Sequence, residues 1–471
     1  MLRVRCACGC SGLNRRSFIR GVASIGTVAT ASGLGAFGSA ILSSPALAQA
    51  EAPPLGNVEL LIRNVRVADT KPLVDLAISD GRFVAIQPNL ATAAQRTIEA
   101  EGKAAIPGLL EPHIHLEKAL LEQRMPNQSG TLAEAIRITG MLKARQERDD
   151  VLARSRQVLD MAVANGVIAV RAHPDVDPIQ GLIGVETGLT LAQEYKSLLD
   201  LEIVAFPQEG IIKAPGTLGM MEEALKMGAT VVGGCPYNER SWEDTQSHVD
   251  QCFKLAQKYG RPLDLHTDFA DDTSDHRFAA AAYIAQKTID TGYQGRVTLG
   301  HMTSLGALLP DQAKPVIELL KRADISIVTL PATDTYLGGR KDQSSPRRGL
   351  TPVRALRDAG VNVAYASNNI RNAFTPFGKV DPLQIGNMLA HIAQFGAPAD
   401  QAYVLQMATR NAARAMGIAD RYGIEVGKQA NLVILDTPSV ANAILDLPPR
   451  SWVVKGGRVT VETQHKSIIY R

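Results

Sequence analysis

Between about residues 107 and 420, short apolar segments alternate with amphipathic segments, and this alternation most constrains the fold. The apolar segments read VIAVRAHPDV, LEIVAFPQEG, TVVGGCPYN, LDLHTDFA, RVTLGHMT, ISIVTLPATD and VNVAYASNN. Helical patterns such as SHVDQCFKLAQKYG separate them. Strands that alternate with helices predict an α/β fold with a parallel sheet, and the length of the region suits a (β/α)8 barrel of the TIM type. The alternative is a doubly wound open sheet, but no G-x-G-x-x-G motif follows a first strand.

The regions on either side of this segment have a different pattern. Residues 55–106 contain VELLIRNVRV and VDLAISDGRFVAI, and residues 421–471 contain QANLVILD and RSWVVKGGRVTVE. These runs are rich in β-branched residues, and the DG and GG dipeptides between them favour hairpin turns. We therefore predict a small β-sandwich formed by residues 55–106 together with 421–471, around a barrel at residues 107–420.

Residues 1–50 have the features of an export signal. NRRSFIRG precedes a moderately apolar stretch, and PALAQA supplies an A-x-A cleavage site. The pair Arg15-Arg16, followed by Ser17 and Phe18, is similar to a twin-arginine signal. We predict export through the twin-arginine machinery and a periplasmic location. An ordinary secretory signal or a membrane anchor is the alternative.

The composition supports a folded domain that does not bind nucleic acid. The chain has 471 residues, of which 45% are hydrophobic and 21% charged, which allows a full globular core. The net charge of +3 comes from five arginines in residues 1–50, where no acidic residue occurs, so the remainder is slightly acidic. Cys235 and Cys252 are the cysteines beyond this segment, and we expect two buried thiols.

Polar and ionisable residues follow the apolar segments of the predicted barrel. They are His173, Gln208, Asn238, His266, His301, Asp334 and Asn368. The carboxyl ends of barrel strands converge on one face, which is where active sites lie.

The motif HIHLEK adds His113 and His115, whose i, i+2 spacing places both side chains on the same side of a strand. With His266 and His301 at later strand ends, the pattern predicts one divalent metal ion, either Zn²⁺, Fe²⁺ or Mn²⁺. Such an ion lowers the pKa of a bound water to about 7.

Several long stretches give the chain a family resemblance. IPGLLEPHIHLEK, VAFPQEGI, LAQKYGRPLDLH, GHMTS, RRGLTPV, PFGKVDPLQIGN and YGIEVGKQANLVIL resemble the amidohydrolase superfamily. Within it, they are most similar to the cytosine deaminase branch, which includes enzymes like N-isopropylammelide amidohydrolase. The resemblance implies hydrolysis of a ring C–N bond. It implies that His113, His115 and His266 bind the metal, that His301 polarises the group under attack, and that Gln208 reads the amide edge of the substrate ring.

This sequence departs from the family pattern at positions that matter for proton transfer. Phe269 replaces the glutamate that shuttles protons in cytosine deaminases, and Asn368 replaces the aspartate that binds the metal and accepts a proton from water. An asparagine can ligate through its amide oxygen, but it is neutral and cannot act as a general base. Asp268 and Asp334 are the candidates to replace the lost carboxylates.

We predict a metal-dependent hydrolase that acts on a C–N bond of a small cyclic amidine, amide or amino-heterocycle. Asp268 and His301 are its predicted catalytic residues, and Asn368 joins the three histidines as a predicted metal ligand. Gln208, Asp334 and Phe374 are predicted to bind the substrate, and a homo-oligomer is expected. The alternatives are a periplasmic ligand-binding protein that has lost turnover because of Asn368, and a peptidase or lactonase on the same barrel.

Overall fold

The computed structural model describes residues 56–470, and the predicted export signal lies outside the described residues. Two groups of strands form within this range. The strands near the chain ends are β1 (Val58–Val65), β2 (Val74–Ser79), β3 (Arg82–Gln87), β4 (Ala94–Glu99), β5 (Ala104–Pro107), β14 (Leu432–Leu435), β15 (Arg450–Lys455) and β16 (Arg458–Glu462). The strands of the middle are β6 (Leu109–Ile114), β7 (Val167–Ala172), β8 (Asp200–Ala205), β9 (Val231–Gly234), β10 (Leu263–Thr267), β11 (Val297–His301), β12 (Ser326–Thr329) and β13 (Asn362–Tyr365).

Helices separate or follow the strands of the middle. They are α1 (Leu132–Lys143), α2 (Arg148–Ala164), α3 (Ile183–Glu194), α4 (Thr217–Met227), α5 (Trp242–Tyr259), α6 (Ala281–Asp290), α7 (Thr303–Ala307), α8 (Pro310–Arg322), α9 (Pro331–Leu337), α10 (Val353–Asp358), α11 (Pro382–Ile392), α12 (Pro398–Met407), α13 (Arg410–Ala415) and α14 (Asn442–Leu445). Among residues 56–470, no helix has both the length and the apolar character needed to cross a membrane.

The eight middle strands form one parallel sheet in sequence order from β6 to β13. The first and last strands meet beyond the end of β13, where the Asn368 N–H donates to the His113 carbonyl at 3.0 Å and the Asn368 carbonyl accepts from the His115 N–H at 3.0 Å. These two hydrogen bonds close the ring, so the predicted TIM-type barrel is confirmed. Its strands are buried on both faces, which explains why they read as apolar runs rather than as alternating patterns.

The chain ends form two four-stranded sheets, with strand orders β3-β2-β1-β4 and β16-β15-β14-β5. Leu60 and Ile78 from the first sheet share a hydrophobic core with Leu432 and Val454 from the second. The prediction of extra sheets built from both ends is therefore confirmed, and the exact domain bounds stay a prediction. Both hairpin dipeptides have positive φ, which gives the twist that two-residue hairpins require: Asp80 and Gly81 at 50° and 69°, Gly456 and Gly457 at 54° and 76°.

Helix α5 shows how the local sequence sets an element of the barrel wall. Ser241 caps its start by accepting a hydrogen bond from the Asp244 N–H, and Gly260 ends it with a φ of 65°. Cys252 lies on its buried face, and Cys235 is buried at the end of β9. Both thiols are free, as the sequence predicted.

A buried ion pair inside the barrel gives a stability prediction. Arg171 on β7 donates to Asp264 on β10 at 2.9 Å, and both side chains are buried. In Asp264→Ala the guanidinium loses this partner and keeps Glu202, so we expect the free energy of unfolding to fall by about 3–5 kcal/mol in urea titrations. The matched control is Arg156→Ala, which breaks an exposed ion pair with Glu194 and should cost about 1 kcal/mol or less. Equal losses in the two variants would contradict the prediction.

Candidate active site

Three imidazoles converge at the carboxyl end of the barrel. His113 and His115 come from the end of β6, and His266 comes from β10. The Nε2 atom of His266 lies 3.0 Å from Nε2 of His113 and 3.1 Å from Nε2 of His115. Metal–nitrogen bonds of 2.0–2.1 Å place neighbouring ligand atoms about 2.9–3.3 Å apart, so this spacing is that of imidazoles around one ion. The three residues form a group that could hold a metal ion.

The hydrogen bond that His115 makes leaves a lone pair directed at the common point. The Nδ1–H of His115 donates to the His173 carbonyl at 2.7 Å, which leaves Nε2 as an acceptor. Burial lowers the pKa of His113, His115 and His266 well below the usual range of a histidine, so the rings are neutral. Neutral imidazoles are the form that binds a metal, and the residues present fit a divalent cation.

Backbone hydrogen bonds hold Asn368 beside the three histidines, and its side chain offers one further ligand atom. Its N–H and C=O bond to His113 and His115, while its side-chain Oδ1 is buried without a hydrogen-bond partner among the described residues. A buried amide oxygen without a partner is costly unless another group binds it. A cation held by the three imidazoles would satisfy that oxygen, which agrees with the predicted role of Asn368 as a ligand.

His301 is held by a carboxylate from the next strand-helix unit. Its Nδ1–H donates to Oδ1 of Asp334 at 2.7 Å, and both side chains are buried. Phe269 stacks on the His301 ring at 4.1 Å between centroids, with 11° between the planes. Burial raises the pKa of Asp334, and the attraction of His301 opposes this rise. Asp334 thus contacts the predicted catalytic histidine through Oδ1, while its Oδ2 has no partner among the described residues. Its predicted role in substrate binding stays a prediction.

The carboxylate of Asp268 caps the start of helix α6. Its two carboxylate oxygens accept the backbone N–H groups of Ala280 and Ala281, at 2.8 and 3.2 Å, at the start of α6. Burial raises the pKa of Asp268 to about 7, although these hydrogen bonds oppose the rise. Since both oxygens are engaged at the helix start, the predicted catalytic role of Asp268 has less support than that of Asp334.

Strained backbone occurs at three of these strand ends. Asp268, His301 and Asn368 have φ values of 54°, 71° and 61°, in the left-handed region that costs energy for residues other than glycine. Such conformations persist where the surrounding structure determines them, and here they aim side chains from different strands toward one face.

The predicted substrate residues Gln208 and Phe374 both lie beside Lys118. Lys118 Nζ lies 3.3 Å from Gln208 Oε1 and 5.7 Å from the centre of the Phe374 ring. Phe374 packs in a separate apolar cluster with Tyr237 and Phe269, so it belongs to a hydrophobic wall above the barrel. The two residues are thus brought together, and Lys118 joins them.

Two buried lysines, Lys118 and Lys143, were not predicted from the sequence to have a role. Lys143, the last residue of α1, contacts Asp175 at 2.6 Å, Asp177 at 3.0 Å and Glu209 at 2.8 Å. Burial acts to lower the pKa of Lys143, but the three carboxylates outweigh it and raise the pKa above its usual range. A lysine at a helix end usually faces solvent, so no local pattern indicates this role. For Lys118, the sequence offers one indication. An acidic residue and a basic residue, Glu117 and Lys118, directly follow HIHL.

The comparisons with known proteins agree with this geometry. The sequence profile of the Amidohydrolase family matches residues 130–461. N-isopropylammelide isopropyl amidohydrolase of Pseudomonas sp. (strain ADP) is 29% identical over 411 residues, which cover 86% of this chain and 98% of the relative. Among solved structures, 5-methylcytosine deaminase from Klebsiella pneumoniae liganded with 5-fluorocytosine has a TM-score of 0.83, 33% identity, and coverage of 87% and 99%. N-isopropylammelide isopropylaminohydrolase from Burkholderia multivorans has a TM-score of 0.75, 29% identity, and coverage of 85% and 98%.

The barrel, its histidine cluster and these matches define the class: the chain belongs to the amidohydrolase family. Its relatives include cytosine deaminase-like and N-isopropylammelide-hydrolysing enzymes. The predicted activity class, hydrolysis of C–N bonds other than peptide bonds, is confirmed. The family uses a divalent metal, in agreement with the three converging imidazoles.

Proposed function

We propose that this protein is a metal-dependent aminohydrolase of a small amino-substituted heterocycle, with His301 and Asp334 as its proton-transfer pair. The observation that carries the proposal is the convergence of three neutral Nε2 atoms beside an amide oxygen that has no protein partner. His113, His115, His266 and Asn368 would hold the ion. When bound, a divalent cation supplies a water nucleophile at neutral pH. An imidazole-rich set with one neutral oxygen suits Zn²⁺ or Fe²⁺, with Mn²⁺ as the third candidate.

The His301–Asp334 pair can accept a proton, which the neutral amide of Asn368 cannot do. Because Nδ1–H is bonded to Asp334, Nε2 of His301 carries the lone pair and can accept a proton from the attacking water. The carboxylate of Asp334 then stabilises the imidazolium that forms. As the new C–O bond replaces the C–N bond, His301 returns the proton to the leaving nitrogen, which departs as ammonia or an amine. The water supplies both the oxygen and the hydrogen that the two products need.

Features of the wall suggest the kind of substrate. The Gln208 amide and the flat apolar ring of Phe374 both lie beside Lys118. The 5-methylcytosine deaminase and the two N-isopropylammelide hydrolases are named for ring substrates with exocyclic nitrogen. These features support an amino-pyrimidine or amino-triazine as the substrate.

The test is a combined measurement of metal and turnover. Protein purified with Zn²⁺, Fe²⁺ or Mn²⁺ is analysed for metal content and assayed for release of ammonia or amine from amino-pyrimidines and amino-triazines. One metal ion per chain together with release supports the proposal. Bound metal and ligand-dependent thermal shifts without release would favour a ligand-binding protein, and turnover of acyl substrates alone would favour a peptidase or lactonase.

Asn368→Asp tests whether the missing carboxylate limits this enzyme. Because His301 and Asp334 already form the proton-transfer pair, we expect kcat of Asn368→Asp to stay within about threefold of the wild type or to fall, at equal metal content. Ammonia or amine release measured beside metal analysis checks this. A rise in kcat of tenfold or more would show that the natural protein has lost its general base, and would contradict the proposed role of the pair.

We propose export to the periplasm through the twin-arginine machinery, on the basis of NRRSFIRG in residues 1–50. The supporting consideration is that this route carries folded proteins, so the metal can be inserted before export. Cell fractionation of wild type and of the double variant Arg15→Lys with Arg16→Lys tests it. Wild type in the periplasm and the variant in the cytoplasm are expected, and periplasmic variant protein would contradict the proposal. Assembly as a homo-oligomer stays a prediction.

A further inference from the structure

Glu111 places a buried carboxyl group where the first and last strands of the barrel meet. It lies on β6, two residues before His113, and its side chain is fully buried. Oε1 accepts a hydrogen bond from the Ser367 N–H at 2.7 Å, and Oε2 accepts one from the Ser367 hydroxyl at 2.8 Å. Glu111 and Ser367 are 256 positions apart in the chain, so only the closed barrel brings them together.

The Glu111 carboxyl group supports the metal-ligand segments without being a ligand. Among the described residues, it does not belong to any group of side chains that could hold an ion. Burial raises the pKa of Glu111 to about 8, and hydrogen bonds from Ser367 and from the His113 backbone oppose this rise. The same side chain therefore contacts the segment that carries His113 and the segment that carries Asn368. Any effect of Glu111 on a bound ion must pass through these neighbours.

Ser367 directly precedes Asn368, whose backbone is strained. The φ of Asn368 is 61°, in the left-handed region that is uncommon for residues other than glycine. Such a conformation persists only where the surrounding structure determines it. The backbone hydrogen bonds to His113 and His115 hold Asn368 itself, and the Glu111 contacts hold the residue before it. Because the backbone sets where a short side chain can reach, these contacts restrict the position of Asn368 Oδ1.

A neutral ligand depends more on such support than a charged one does. A carboxylate is attracted to a cation by its full charge, whereas an amide oxygen offers only a partial charge. An amide oxygen therefore contributes to metal binding when the protein already holds it in place. Asn368 is such a ligand, and its Oδ1 is buried without a hydrogen-bond partner among the described residues.

We propose that Glu111 is a positioning residue of the metal site, which acts through Ser367 to hold the Asn368 amide oxygen within reach of a cation bound by the three histidines. The inference rests on the proposed function, because it requires Asn368 as a ligand. Groups that orient metal ligands typically contribute about 10–100-fold to metal affinity. Loss of the Glu111 contacts should therefore weaken metal binding as much as loss of the Asn368 amide does.

Two substitutions of Glu111 separate its hydrogen bonds from its bulk. Glu111→Met removes both acceptor oxygens and keeps a side chain of similar length, which avoids a large cavity. Glu111→Gln is the conservative variant. Its amide oxygen can accept from the Ser367 N–H, and its NH₂ group can donate to the Ser367 hydroxyl oxygen.

Asp75 on β2 offers a matched control away from the metal site. It is a buried carboxylate that accepts the backbone N–H groups of Asn64 and Leu90, both at 2.9 Å. Asp75→Leu therefore removes a comparable pair of hydrogen bonds from the strands of the chain ends. We expect it to lower the melting temperature and to leave the metal affinity within about twofold of the wild type.

The experiment is a double-mutant cycle on Co²⁺ affinity, measured by competition with a chelator at a temperature where every variant is folded. We expect Glu111→Met and Asn368→Ala each to weaken Co²⁺ binding about 10–100-fold. Since both changes remove the same ligand, the double variant should be no more than about threefold weaker than the weaker single variant. The visible absorption of bound Co²⁺ depends on its ligands, so both single variants should change it in the same way. Glu111→Gln should keep the wild-type spectrum and an affinity within about threefold of the wild type.

Several outcomes would overturn the positioning role. They are additive effects in the cycle, a wild-type affinity in Glu111→Met or in Asn368→Ala, a Glu111→Gln protein as weak as Glu111→Met, and an equal loss of affinity in Asp75→Leu. If Glu111→Met does not fold, Ser367→Ala replaces it in the cycle. That variant removes the hydroxyl contact and should weaken Co²⁺ binding at least about threefold, again without adding to Asn368→Ala.

Failure of the proposed function gives a different result. Non-additive Co²⁺ binding without release of ammonia or amine from any ring supports the role of Glu111 and rejects the aminohydrolase activity. Release of ammonia or amine together with an additive cycle rejects the role of Glu111 alone. A wild-type protein that binds no Co²⁺ overturns both.

Discussion

Replacing His266 with alanine is expected to remove the bound metal and to lower kcat/KM by more than about 10³-fold. His266 contributes the Nε2 atom that lies within 3.1 Å of both other imidazoles, so its loss breaks the ligand set at its centre. Without a cation, several kcal/mol of stabilisation of the reacting groups disappear, and each 1.36 kcal/mol changes the rate tenfold. Elemental analysis should find close to one metal ion per wild-type chain and close to none per variant chain.

The control for this prediction is a histidine far from the site. His391 on α11 is exposed and bonds to the carbonyl of Asn387. In His391→Ala we expect metal content and kcat/KM within about twofold of the wild type, because exposed substitutions of this kind have small effects. A His266→Ala protein that kept its metal and its activity would show that the three imidazoles do not share an ion, and the proposed function would fall with them.

Asp334→Asn is expected to lower kcat by about 10²–10⁴-fold while the metal stays bound. An asparagine can accept from His301 Nδ1–H, so the ring keeps its place. It is neutral, however, and cannot stabilise the imidazolium that forms when His301 takes a proton. Parallel measurements of kcat, KM and metal content separate this effect from a loss of binding.

Two further variants test which carboxylate takes part in proton transfer. Asp311→Asn changes an exposed acid in the first turn of α8 and should leave kcat unchanged. Asp268→Asn weakens the hydrogen bonds at the start of α6, so we expect a lower melting temperature and a smaller loss of kcat than in Asp334→Asn. If Asp268→Asn lost more activity than Asp334→Asn at equal metal content, Asp268 would be the proton acceptor and the pair with His301 a structural contact.

Much of the fold could be predicted from the sequence, because its signals are local. A barrel strand buried on both faces is a continuous apolar run, and its helix carries its own caps, as Ser241 and Gly260 do for α5. The hairpin dipeptides at Asp80 and Gly456 likewise encode their turns through positive φ. The pair His113 and His115 was predictable as well, since a spacing of two residues on a strand fixes a common side.

Which residues follow the barrel strands was easier to predict from the sequence than which contacts those residues make. Gln208, His301 and Asp334 were predicted at the carboxyl end of the barrel, and the structure pairs His301 with Asp334 and places Gln208 beside Lys118. Asp334 was predicted to bind substrate, and the structure adds that its carboxylate accepts a hydrogen bond from His301.

What the sequence alone determined, then, is the ring of strands and the set of side chains at its carboxyl end. Only the tertiary structure decided which groups pair. Asp334 meets His301 across 33 positions of the chain, and Lys118 meets Gln208 across 90. Hydrogen bonds of side chains depend on distances of a few ångströms between loops that leave different strands. A periodic pattern places each strand end on the common face, but it carries no information about those distances.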